Sequence, residues 1–196
     1  MNTSITHETA AELLDMFQLP SNDAQAALQL LAEGDSKLLR DLKLNVKSIL
    51  SGDHLSVKER ALTALSCAAN ENNRVLISYF TAEAKAAGAS ETELGDAVAC
   101  AAMLSSNNVL YRFRHFSKKE KYDQLPARIR MSAMMAPSCG KEVFELMSLA
   151  ISAMNGCEMC VNAHEHSLME LGTSEERVFE AIRIASIIAG TTKLFN

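Results

Sequence analysis

Tryptophan is absent from the 196 residues, and proline occurs only three times. Few prolines alongside abundant alanine, leucine and methionine leave little to interrupt helices. No window shows the sustained alternation rich in Val, Ile and Thr that a half-buried strand needs, so essentially no sheet is expected. No apolar run approaches the roughly 18–20 residues of a membrane span. The first residues, MNTSITHETAAELLDMF, lack a basic region followed by an apolar core, so no secretory signal is expected. Basic residues are also in deficit, 19 Lys and Arg against 24 Asp and Glu, a formal charge of −5. That balance argues against nucleic acid or an anionic membrane as partner. The cysteines number five, an odd count in a long chain, which does not suit a disulfide scaffold. They suit a reducing, cytoplasmic setting in which a Cys-x-x-Cys pair is catalytic or metal-binding.

What is present is a succession of helical segments with conventional punctuation. Apolar residues make up 48% and charged residues 22%, enough for a real core in one domain. A first helix is expected over residues 5–17, with Ile5, Leu13, Leu14 and Phe17 on one side and Pro20 closing it. Ser21 or Asn22 can cap AQAALQLLAE, which Gly34 stops. Asp35-Ser36 opens a third helix that ends at Gly52. Ser56 with Glu59, and Ser90 with Glu93, have capping-box spacing for two more, separated by a helix from about Asn73 to Ala87. The fold class is all-α.

The stretch from Asn107 to Gly140 carries Arg112, Arg114, His115, Lys118, Lys119 and Lys121 interleaved with Tyr111, Phe113 and Phe116. In an acidic chain without a nucleic-acid module, this reads as a separate helix. Its aromatics are expected to face the core and its basic residues to meet acids or a partner subunit. Leu125-Pro126 is expected to start a further short helix, with proline at the permitted first position.

Laid over itself in one register, the chain keeps caps, glycines and apolar positions in step between its two halves. Gly88-Ala89-Ser90-Glu91 falls on Gly172-Thr173-Ser174-Glu175, and AVACAAML on AIRIASII. A duplicated helical unit within one all-α domain, 1–196, is therefore expected, with a structural copy over about 56–111 and a catalytic copy over about 140–195. The chemistry does not repeat: Glu145, Cys157, Cys160 and His164 fall opposite Ala61, Asn73, Leu76 and Phe80.

Those four residues form the candidate site. In a helix following Asn155-Gly156, Cys160 lies about 60° round the axis from Cys157, and His164 about 40° from Cys160. Asn-Gly is a helix-stop signal, so the cysteines fall in the first turn of a new helix. Free N–H groups and the positive end of the helix dipole stabilise a thiolate there. His164, at i+4 from Cys160, is placed as its general base. A helix and a turn can return Glu145 beside the cysteine helix, to orient His164 or hold a shuttled proton. His166, about 200° from His164, points elsewhere. Cys67, Cys100 and Cys139 lack a nearby base or second thiol and read as packing residues, and Asn107-Asn108 as structural.

The rival is a zinc site or a non-catalytic helical oligomer built on the same Cys157, Cys160, His164 and Glu145. Against zinc stand the absence of a second C-x-x-C or His-x-x-x-His and three ligands crowded into two turns. Haem attachment needs histidine directly after the pair, where Val161 stands. No metal and no bound organic cofactor are expected.

E-x₁₁-C-x-x-C-x-x-x-H resembles the signature of alkyl hydroperoxidase D, in the carboxymuconolactone decarboxylase-like superfamily. NNVLYRFRHF, KYDQLPARIRM, FELMSLAISAMNGCEMCVNAHEH and EAIRIASIIAG resemble that family's text as well. The resemblance implies an all-α array of two related helical repeats that assembles as a homotrimer. It implies a lipoyl-dependent alkyl hydroperoxide reductase, an antioxidant peroxidase for organic hydroperoxides. It also implies dihydrolipoamide as donor, on a lipoylated dihydrolipoyl acyltransferase, and a peroxiredoxin as onward partner. On the matching positions, Cys160 would be the peroxide-reacting thiolate. Cys157 would resolve it as a Cys157–Cys160 disulfide and exchange with partners, and His164 and Glu145 would relay protons. The family often carries histidine directly before the second cysteine, where this chain has Met159. A decarboxylase-type member of the superfamily would have no evident need for the pair.

Overall fold

The computed structural model describes residues 7–20 and 26–195, and the regular structure within them is entirely helical. In chain order the helices are α1 Glu8–Met16, α2 Ala26–Glu33, α3 Lys37–Leu50, α4 Val57–Asn70, α5 Arg74–Ala86 and α6 Glu91–Ser117. They continue as α7 Glu120–Gln124, a 3₁₀ turn Ser132–Met134, α8 Lys141–Met154, α9 Glu158–Glu170 and α10 Glu175–Thr191. The positions expected for Ile5, Ser21 and Asn22 lie outside the described residues.

The caps behave as their spacing demands. Ser56 and Ser90 each accept a bond from the backbone N–H three residues on. Glu59 and Glu93 in turn accept from the cap N–H at 2.7 and 2.8 Å. Ser36 accepts from Leu38 N–H and starts α3.

Two expectations are corrected. The stretch around Asn107-Asn108 does not divide two helices: α6 runs through it for 27 residues. Both asparagines are buried, and Asn108 donates to Ser152 Oγ on α8 and accepts from Asn155 Nδ2, which satisfies polar groups that would otherwise disfavour a helix interior. On this longer helix Phe113 and Phe116 are exposed, not core-facing. No helix starts at Pro126 either. Leu125 sits extended at φ −73°, ψ 136°, the region a following proline imposes, and its apolar side chain offers no cap.

The helices α4 and α8 form the centre. Residues 61–68 of α4 and 144–152 of α8 are buried continuously, all round each helix, which only an interior position permits. α4 packs on α5, α6, α8 and α10, while α8 packs on α4, α6, α9 and α10. Alanine and serine along both keep the axes close. In the register that lays Gly88 on Gly172, the bounds of α4 and α5 fall on those of α8 and α9, and the start of α6 falls on that of α10.

Candidate active site

α8 is brought to a stop by a tight backbone device. Gly156 adopts φ +66° beyond the C-cap Asn155, its N–H donates to Ala153 O at 3.1 Å, and Cys157 N–H donates to Ser152 O at 3.0 Å. This pair of reversed bonds needs a left-handed residue, and glycine supplies it without strain. The chain turns through Gly156 straight into α9, with Cys157 as N-cap and Cys160 in the first turn. Cys157 gives no side-chain cap. The first N–H groups of α9 are therefore free of a side-chain cap, and the positive end of the helix dipole lies at the two cysteines.

Cys157 and Cys160 are joined as a disulfide. Upstream of the stop, Glu145 projects from the fully packed α8 and is only 7% exposed. One turn after Cys160, His164 is 9% exposed, and its Nδ1 lies 2.6 Å from Glu145 Oε2. A carboxylate only accepts, so Nδ1 carries the proton and Nε2 is left as the basic nitrogen. A carboxylate that fixes the tautomer and orientation of an imidazole is a recurring base-preparing device.

Cys160 and His164 line one cavity of about 250 Å³ between α9, α6 and the 3₁₀ turn. The apolar wall of that cavity comes from Leu104, Tyr111, Met131, Met134 and Met159, and Asn107 is the polar residue on the α6 side. The four predicted residues thus come together. The contribution of α6 was not visible in the sequence, because its residues lie some fifty positions upstream and carry no chemical motif. The Asn107-Asn108 pair in an otherwise helical stretch was the one available signal.

The two cysteines differ slightly in exposure. Cys157 is 1% exposed against 7% for Cys160, and it is Cys160 that faces the cavity. Of the remaining cysteines, Cys67 and Cys100 are buried and Cys139 is half-buried. Cys67 is fully buried and its thiol is pushed well up by burial. Burial pushes Cys100 up to about 12, with Ser148 Oγ at 3.5 Å, and burial with the nearby Asp96 carboxylate pushes Cys139 up to about 12. Each shift disfavours the thiolate, the reactive form of cysteine. His166 points to solvent, 3.4 Å from Glu170.

The basic residues of α6 are used in holding the turn. Arg112 donates to the Asn155 carbonyl, and His115 pairs at 3.3 Å with Glu158, the residue after Cys157. Arg114 donates to the Leu125 carbonyl. Among the described residues, no three of His, Cys, Asp and Glu converge as a metal-binding set. Of the Cys157, Cys160, His164 and Glu145 set, the two sulfurs are bonded to each other and the imidazole to the carboxylate. No helix among the described residues is long and apolar enough to cross a membrane.

The family model described as the carboxymuconolactone decarboxylase family matches residues 120–196. Similarity to individual proteins extends further. A protein of Anaeromyxobacter dehalogenans (strain 2CP-1 / ATCC BAA-258) named alkyl hydroperoxide reductase AhpD is 41% identical over 166 residues, covering 83% of this chain and 87% of its own. Proteins of that name from Solibacter usitatus (strain Ellin6076) and Azorhizobium caulinodans are 42% and 39% identical. They cover 80% and 76% of this chain, and 88% and 82% of their own.

Proposed function

The chain belongs to the family of alkyl hydroperoxide reductase AhpD proteins, and from that premise we propose that it reduces organic hydroperoxides through the Cys157–Cys160 dithiol. The observation that carries the proposal is that Cys160 shares a cavity with a His164 held on Glu145.

In the reduced protein, His164 Nε2 takes the proton of the Cys160 thiol, and the N-terminus of α9 steadies the thiolate. The thiolate attacks the terminal oxygen of ROOH. The O–O bond breaks, and the departing alkoxide takes the proton back from His164 as ROH. The Cys157 sulfur then attacks the sulfur of the Cys160 sulfenic acid, the S–OH bond breaks, and the hydroxyl leaves as water with the Cys157 proton as the disulfide closes. Glu145 stabilises the imidazolium that exists between the two proton transfers. A dithiol donor such as dihydrolipoamide reopens the bond, so that ROOH and dihydrolipoamide give ROH, water and lipoamide. The cavity presents Cys160 to the donor in the oxidised form.

The same dithiol is suited to pass electrons from a lipoylated dihydrolipoyl acyltransferase to a peroxiredoxin. A homotrimer in the cytoplasm is the setting proposed for it. Neither duty calls for a metal or a bound organic cofactor. We also propose that the matching register of the two halves reflects duplication, with the second copy alone carrying the site.

The test is turnover of cumene hydroperoxide by metal-analysed protein with dihydrolipoamide as donor. Activity that is abolished in Cys160→Ser supports the proposal. A zinc-loaded protein with no turnover would refute it in favour of a structural site.

A further inference from the structure

The turn that carries Cys157 occurs twice in the chain and is held in two different ways. After α4, Asn72 takes φ +53° and Asn73 N–H donates to Ala68 O at 3.0 Å. After α8, Gly156 takes φ +66° and Cys157 N–H donates to Ser152 O at 3.0 Å. The two N-cap residues share one backbone conformation, φ −88°, ψ 103° for Asn73 and φ −98°, ψ 87° for Cys157. Asn73 holds itself there, because its Oδ1 accepts from Leu76 N–H at 2.9 Å and caps α5. Cys157 gives no such cap, since sulfur is a weak acceptor.

What Cys157 lacks is supplied from α4 and α6, through Asn155 just before it. The Asn155 side chain uses both of its ends. Nδ2 donates to Asn70 Oδ1 at 3.2 Å and to Asn108 Oδ1 at 2.9 Å, and Oδ1 accepts from Asn70 Nδ2 at 3.1 Å. The main-chain carbonyl of Asn155 accepts from the Arg112 guanidinium. Asn108 also donates to Ser152 Oγ at 3.2 Å, on the residue whose carbonyl receives Cys157 N–H. Asn70 is the last residue of α4, in the half of the chain that lacks the cysteine pair.

Building on the hydroperoxide reduction proposed above, we propose that Asn70 and Arg112 are positioning residues for the resolving step: by clamping Asn155 they keep Cys157 within bonding reach of Cys160. Cys160 and His164 both lie within the regular helix α9, so helix geometry alone fixes their relation. Cys157 stands before the first helical residue, with φ and ψ outside the helical region, so its distance from Cys160 follows the turn. A disulfide closes only over a narrow range of Cα separation. In that step the Cys157 sulfur bonds to the Cys160 sulfur, the S–OH bond breaks, and the hydroxyl leaves as water with the Cys157 proton. A loosened turn slows the closure and leaves the attack of Cys160 on the peroxide unchanged. It also favours the dithiol at equilibrium, because clamp and disulfide restrain the same turn and each strengthens the other.

Two measurements separate this inference from the function it rests on. The first needs no peroxide: the dithiol–disulfide equilibrium of the whole protein in dithiothreitol redox buffers, read by thiol count. Asn70→Ala removes both bonds of the amide pair, so its disulfide should be roughly tenfold easier to reduce, a potential about 30 mV less negative. Arg112→Met should shift it in the same direction, and stands in for Asn70→Ala if that variant does not fold. Gly52→Ala, which strains the chain beyond the opposite end of α4, is the control and should keep the wild-type potential. No shift in the turn variants, or an equal shift in Gly52→Ala, overturns the inference. The second is a single turnover of reduced protein with cumene hydroperoxide and dimedone, a carbon nucleophile that traps sulfenic acid. Asn70→Ala should consume peroxide at the wild-type rate and carry roughly tenfold more adduct on Cys160. Equal trapping in variant and wild type, or peroxide consumption that slows as much as closure, overturns the inference. A shifted potential in a protein that consumes no peroxide would keep the clamp and overturn the peroxidase function. Turnover with an unshifted potential would overturn the clamp and keep the function.

Discussion

His164 and Glu145, on α9 and α8, meet at 2.6 Å in a site where each is at least nine-tenths buried. The bond consumes Nδ1 and leaves Nε2 as the base, so removing either partner has distinct consequences. His164→Ala should lower kcat/KM for cumene hydroperoxide on the order of 10²-fold. Its remaining rate should climb with pH, as Cys160 then ionises without a neighbouring base. Glu145→Gln keeps an acceptor but loses the charge, and roughly a tenfold loss is expected. Equal losses in the two variants, or a flat pH profile in His164→Ala, would contradict the assigned roles.

Met159 occupies the position next to Cys160 on the rim of the cavity. A thioether cannot move protons, so Met159→His adds a relay group beside the reacting sulfur. The peroxidase rate should rise, most for hydrogen peroxide, which does not depend on the apolar wall. An unchanged or lower rate counts against a limiting proton relay.

Gly52 sits against a buried carboxylate. A Cβ there would lie 2.0 Å from Glu180 Oε1, and Glu180 Oε2 already accepts from His54 N–H at 2.8 Å. Gly52→Ala must displace a 3% exposed side chain and break that bond, at a cost of about 1–3 kcal/mol. Urea unfolding should show the loss, and it should shrink when Glu180→Ala is combined with it. An additive double variant would contradict the contact.

At Gly156 the cost is conformational, since nothing lies within 4 Å of an added Cβ while φ is +66°. Gly156→Ala should lose about 1–2 kcal/mol. Gly156→Asn should lose less, because Asn72, its counterpart in the first half, holds φ +53° in the matching turn after α4. Reduced protein in a denaturant series gives both values, and equal losses would count against the assignment.

Acid stability should depend on Arg177. It bonds Glu59 at 2.8 Å and Glu142 at 3.0 Å. Burial pushes the Glu59 carboxyl up, but bonds from Arg177 and Ser56 outweigh it and hold the group below its ordinary 4.5. A carboxyl with a lowered folded pKa stabilises above its unfolded value, and that stability is lost as pH falls through the folded one. Wild type should therefore keep this contribution at neutral pH and lose it below about 4.5. In Arg177→Ala, burial is opposed by Ser56 alone, so the loss should begin at higher pH. Identical pH profiles in urea midpoints would exclude the coupling.

Local chemistry was the legible part of this chain. Ser56–Glu59 and Ser90–Glu93 announced two helix starts because a capping box is complete within one helical turn. Cys157, Cys160 and His164 could be placed on one face because α9 is a regular helix and Asn155-Gly156 marks its start. What depended on distant partners was not legible. The continuity of α6 through Asn107 and Asn108 rests on α8, and the cavity at Cys160 rests on α6 residues some fifty positions away. The register between the two halves has a further counterpart in the structure. Lys58 pairs with Glu93 at 2.7 Å, and at the matching positions Glu142 pairs with Arg177 with the charges exchanged. That correspondence supports the proposed duplication, because only the pairing, not the residue types, is retained.

The central claim is that Cys160 is oxidised by peroxide and resolved by Cys157. A thiol count on fully reduced protein, before and after one equivalent of cumene hydroperoxide, tests it most directly, with peptide mass mapping of the product. Five thiols falling to three, with the new bond mapped between Cys157 and Cys160, restored by dihydrolipoamide and absent in Cys160→Ser, is the predicted result. Five thiols retained, or a bond formed by Cys67, Cys100 or Cys139, would contradict it.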